Sequence, residues 1–104
     1  MENTLTEEQI RDLQKTTGIA ELQLFIDIGD AWKTEGSIGR SAMSALESGA
    51  CFLPDKVYFD AYGNKVPARS MLKAGSKGTL ENSQNFWQRY LNGEVEIVGD
   101  DDEQ

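Results

Sequence analysis

The sequence predicts an α+β fold: a small, mostly helical domain of about four helices with one β-hairpin and scope for a short C-terminal strand. Three observations carry this reading. Apolar residues recur at helical spacing between start and stop signals near both ends of the chain. Between Val57 and Val66 the period falls to two around a turn-forming run, Asp60-Ala61-Tyr62-Gly63-Asn64. The length, 104 residues of which 38% are hydrophobic, suits one core and leaves no material for a second. Residues 1–93 therefore read as a single globular domain, and residues 94–104 as an acidic tail too short and too charged to order alone.

The first helix is bounded by local signals. Thr6 with Gln9 fits a capping box, Leu5 with Ile10 fits a hydrophobic staple, and Gly18 stands where a left-handed residue stops a helix near Thr17. Glu7 and Glu8 suit the positive end of its dipole, and Ile10 and Leu13 mark the inner face. A second helix is expected over 20–35. Its apolar residues Leu22, Leu24, Phe25, Ile26, Ile28 and Trp32 cover more than half the circumference, leaving Gln23, Asp27, Asp30 and Thr34 as a narrow polar strip. Such a helix would be buried on two sides. Gly36 ends it, and Ile38, Ala42, Ala45 and Leu46 define a third helix that closes at Gly49.

The hairpin follows, with Pro67 marking an edge or the end of its second strand. After the loop Ala74–Gly78, Thr79 caps a last helix whose inner face reads as Leu80, Trp87 and Leu91, and Gly93 ends it. Val95 and Ile97 alternate with Glu94 and Glu96, which allows a terminal strand.

Composition excludes most catalytic equipment. The chain has no His and one Cys, so Ser–His and Cys–His dyads, internal disulfides and the usual zinc sites are ruled out. Asp27 and Asp30 lie three apart, but two carboxylates beside solvent read as a hydrated strip, and no metal or other cofactor is expected. Cys51, between Ala50 and Phe52, reads as a small buried residue. Gly75-Ser76-Lys77-Gly78-Thr79 lacks the spacing of a P-loop and reads as a flexible cap loop. No stretch approaches the ~20 apolar residues of a membrane helix. The first nine residues are polar and acidic where a leader is basic and apolar, so a cytoplasmic protein is expected.

Charge is sorted along the chain. Residues 1–35 carry eight acids and three bases, residues 36–93 four acids and seven bases, and residues 94–104 six acids and no base, which makes up the net −8. The expectation is a non-catalytic regulatory or accessory protein that binds a protein partner with a basic surface, in the manner of small phage-type inhibitors that imitate nucleic-acid charge. Glu7, Glu8, Asp12, Asp27 and Asp30 would supply an acidic helical face. Phe86 and Tyr90, four apart, would supply an aromatic anchor, and Asp100, Asp101 and Asp102 an acidic tail.

The alternative is a nucleic-acid-binding module. Lys56, Lys65, Arg69, Lys73 and Lys77 would meet phosphates and Tyr58 and Tyr62 would stack on bases, with the tail competing for the same cations. The second and third helices resemble a helix-turn-helix in outline with the hairpin as a wing. A recognition helix over 38–48 would offer base edges only Arg40 and the serines Ser41, Ser44 and Ser48. Val95-Glu96-Ile97-Val98, followed by Asp100-Asp101-Asp102-Glu103, resembles a SUMO-interacting motif. That resemblance implies strand addition to a partner's sheet, with the acids against a basic rim.

Overall fold

The computed structural model describes residues 4–33 and 37–97. Among these, five helices and one hairpin follow in the order α1 (Glu7–Thr17), α2 (Ala20–Asp27), α3 (Asp30–Lys33), α4 (Ser37–Ser48), β1 (Tyr58–Phe59), β2 (Lys65–Val66) and α5 (Leu80–Leu91), with a 3-10 turn at Arg69–Met71 between β2 and α5. The strands are antiparallel, Tyr58 opposite Val66 and Phe59 opposite Lys65. The mostly helical α+β domain expected from the sequence is the fold that forms.

Local signals act where they stand. The Thr6 hydroxyl accepts from the Gln9 N–H while the Gln9 side chain accepts from the Thr6 N–H, and the Gly18 N–H returns to the Gln14 carbonyl. Thr79 accepts from Asn82 N–H to start α5. In the hairpin, the Asp60 carboxylate accepts from Tyr62 N–H and Asn64 N–H at 2.9 and 2.8 Å and closes the turn. These bonds hold the Asp60 carboxyl below its ordinary range.

The helix expected over 20–35 does not form as one piece. It breaks at Gly29, whose φ is +84°, so that α2 and the single-turn α3 diverge. The break has a partner. The Tyr58 ring lies against the bare Gly29 backbone, where any Cβ would overlap it, and the Tyr58 hydroxyl donates to the Asp27 carbonyl at 2.8 Å. Ala61 N–H then donates to the Trp32 carbonyl at 3.1 Å, which fastens the hairpin tip onto α3. Residues 34 and 35 of the expected helix lie outside the described residues.

Two apolar faces also turn out otherwise than read. On α2 the buried side is Gln23, Ile26 and the partly buried Leu22 and Phe25; Leu24 and Ile28 are 54% and 46% exposed. Successive residues turn by about 100°, which puts Leu24 and Ile28 together on the side away from Ile26. On α5, Ser83, Phe86 and Trp87 face inward and Leu91 is 52% exposed, because Leu91 lies on the far side of Trp87 from Phe86. No strand forms over residues 95–97; instead Val95 and Ile97 pack against the core cluster.

The core is organised around a stretch without secondary structure. Gly49, Ala50, Cys51, Phe52 and Leu53 are all buried, and a buried irregular backbone must find partners for every N–H and C=O. Side chains provide them. Gln23, 1% exposed and read from the sequence as part of a polar strip, accepts from Phe52 N–H at 3.1 Å and donates to the Phe52 carbonyl at 2.9 Å, doing what a neighbouring strand would do. Gln14 donates to Gln23 at 2.8 Å and to the Ala50 carbonyl at 2.9 Å; Trp87 Nε1–H donates to the same carbonyl at 3.1 Å. The Ser83 hydroxyl donates to the Gly49 carbonyl. These bonds tie α1, α2 and α5 to one segment and set the angle at which α4 leaves it.

Candidate functional site

Helix α4 separates two concavities. One side looks into a groove of about 780 Å³ bounded by α2, α4 and the segment ending at Ile97. Its floor is apolar, with Leu22, Phe25, Ala45, Phe86 and Ile97, and its α4 wall carries Ser37, Ser41, Ser44 and Ser48. The serines recur at intervals of four, three and four, so they form one stripe, and all four are exposed. Among the described residues, the only charged ones lining it are Glu21 and Glu96, both exposed. A groove with an apolar floor, hydroxyls along one wall and two carboxylates has negative potential and no cation to offset it locally.

Phe86 and Tyr90 do not form the protruding anchor expected of them. Phe86 is 8% exposed, packed edge-on to Trp87 at 5.1 Å between ring centroids, and Tyr90 meets the other side of Trp87 at 5.2 Å. Phe86 reaches the surface only as part of the groove floor.

The acidic face on α1 and α2 is partly consumed inside the fold. Arg11 donates to Asp27 at 2.8 Å and to Glu7 at 3.0 Å, and Arg69 stands 3.6 Å from the other Glu7 oxygen. Both guanidinium groups lie near the Phe52 ring, at 5.0 and 5.4 Å from its centroid. Burial works against the Arg11 charge, but Asp27 and Glu7 outweigh it and raise the pKa further. Asp27 also accepts from Gln23, so both oxygens of its carboxylate take part in the α1–α2 contact. Glu8 and Asp12 remain exposed on α1, and Asp30 is exposed at the start of α3.

The basic segment is depleted in the same way. Arg69 is committed to Glu7, and Lys77 pairs with Glu47 at 3.6 Å instead of lining an anion cradle before α5. Lys56 sits 5.4 Å over the Tyr58 ring, and that ring is committed to Gly29, so Tyr58 is not free to stack on a base. Tyr62 is 77% exposed, and Lys65 and Lys73 are exposed. Charge sorted along the sequence is thus partly mixed in space.

Val95 and Ile97, the first two aliphatic residues of the SUMO-interacting resemblance, are packed on the core and cannot at the same time join a partner's sheet. Val98 and the acids Asp100, Asp101, Asp102 and Glu103 lie outside the described residues. Sequence reasoning missed the groove because its floor is drawn from four separate segments, although the serine spacing on α4 was visible. Comparison with family models, with curated proteins and with solved structures gives no match.

Proposed function

We propose that the chain is a non-catalytic accessory protein that docks a basic, apolar-faced segment of a protein partner in the groove between α2 and α4. The observation that carries this reading is the lining itself: an apolar floor reaching down to Phe86, with Glu21 and Glu96 as the only charged members among the described residues. Helix α4 spans 12 residues, about 17 Å, so the groove length suits about three turns of an amphipathic helix. In the sequence the acids Asp100–Glu103 begin three residues after Ile97, which itself lines the groove. The lack of His and the burial of the one thiol speak against catalysis, and a free buried thiol suits a cytoplasmic setting. No helix among the described residues is long and apolar enough to cross a membrane.

Imitation of nucleic-acid charge has less support, since Glu7 and Asp27 are paired with Arg11 and Arg69. Nucleic-acid binding through residues 56–77 has less support for the matching reason: two of its five cations are engaged by Glu7 and Glu47.

The test is affinity capture from native lysate with the full chain and with Ser41→Arg, which fills the groove wall with a good helix former and adds a cation. A partner retained after nuclease treatment, lost with Ser41→Arg and released as salt rises through ~0.15 M is the expected result. Capture that needs nucleic acid, or that Ser41→Arg leaves unchanged, overturns the proposal.

A further inference from the structure

The neighbouring face of α4, beyond Ser44, looks into a second cleft, of about 500 Å³, closed by α3 and by the hairpin tip. We propose that this cleft is a small-molecule site for a carboxylate carried on a flat apolar body. It meets the groove at Ser44 and does not depend on the function proposed for the groove.

The argument rests on which polar groups in the cleft are already spoken for. Asp60 is committed to the hairpin turn, accepting from Tyr62 N–H and Asn64 N–H, and Glu47 is paired with Lys77. Of the groups left, the Ser44 and Tyr62 hydroxyls can donate or accept, and two can only donate. Among the described residues, Trp32 Nε1–H is buried without a hydrogen-bond partner, and Arg40, which is exposed, has no acid within ion-pair distance. A buried donor left unmet is uncommon and asks for an acceptor. A guanidinium lining the same cleft selects an anionic acceptor, and a carboxylate with two oxygens can serve two donors.

The remaining lining fixes the body of the ligand. Trp32, Met43 and Tyr62 are apolar or aromatic surfaces, and the volume lies in the range of small-ligand pockets. Met43 and Tyr62 are 43% and 77% exposed, so they are loosely held walls that an entering ring turns aside to bring its carboxylate to the indole. The cleft exists because of the break at Gly29: the hairpin is seated there by Tyr58 and fastened to Trp32 by Ala61 N–H, which brings Tyr62 and Arg40 to the same cleft.

The chain has two tryptophans, which makes the test direct. Trp87 Nε1–H is held by the Ala50 carbonyl and serves as an internal control for the Trp32 indole signal in proton–nitrogen correlation spectra. The probes are benzoate, 2-naphthoate and indole-3-acetate, each against its neutral primary amide. At least one carboxylate should move the Trp32 indole signal saturably below ~10 mM while Trp87 stays in place. Its amide should bind about tenfold more weakly, and Arg40→Gln, a surface change that leaves the fold intact, should weaken the acid about tenfold and the amide little. No saturable Trp32 shift with any of the three acids, equal binding of acid and amide, or indifference to Arg40→Gln overturns the proposal.

Discussion

An L-residue at position 29 would meet two separate penalties, one from its own backbone and one from a ring brought there by the hairpin. A φ of +84° alone costs about 1–2 kcal/mol for a residue with a Cβ. Gly18 has nearly the same φ, +85°, but open space around it, whereas at Gly29 the Cβ overlaps the Tyr58 ring. Gly18→Ala should therefore cost about 1 kcal/mol and Gly29→Ala about 3 kcal/mol or more, read from urea denaturation midpoints at constant slope. In a Tyr58→Ala background the Gly29→Ala cost should fall to that of Gly18→Ala, a coupling a double-mutant cycle reads directly. If both glycine changes cost the same in the parent chain, the ring is not what holds the break. Gly18 sits at the end of a periodic run and is legible as a stop, while Gly29 sits inside one, and only the distant Tyr58 makes it a break.

At the level of elements, those whose causes are local were legible and those whose causes are distant were not. Helix α1 begins at Thr6 and stops at Gly18 through bonds spanning three or four residues, and the hairpin turn closes on Asp60 in the same way. The segment Gly49–Leu53 carries no signal of burial beyond its apolar composition. Its place in the core depends on Gln14 and Gln23, polar residues that a surface-strip reading puts in water. The groove shares that origin, since α2 and α4 diverge from this segment and their facing sides become its walls. Gln23→Leu keeps the side-chain volume and removes the pairing with Phe52 and Gln14. It should cost about 2–4 kcal/mol, because Phe52 N–H and the Gln14 amide are left buried with fewer partners. A loss under about 0.5 kcal/mol would mean that water or a shifted backbone replaces the glutamine, and the account of the core would have to change.

Over the whole molecule, the lone thiol reports on how the domain opens. Cys51 lies at the centre of the buried segment, 0% exposed, and its pKa is pushed up to about 12, first by burial and then by the nearby Asp27 carboxylate, with Arg11 working in the opposite sense. Reaction with a disulfide reagent needs a thiolate in contact with solvent, and the native chain offers neither. Labelling at pH ~8 should therefore be slower in buffer than in denaturant by a factor of at least ~10³, with the rate tracking opening of the core. The same shift predicts a pH dependence of known sign. In the unfolded chain the thiol loses its proton near pH ~8.5, in the folded chain only near 12. Between those values the unfolded state binds fewer protons, so stability falls as pH rises, by about 1.4 kcal/mol for each pH unit. Cys51→Ala removes that contribution. Its stability relative to the parent should be constant below pH ~8 and should gain on the parent above it. Parallel curves up to pH ~10, or a labelling rate in buffer within tenfold of that in denaturant, would place the thiol near water and take the segment that organises both sides of α4 out of the core.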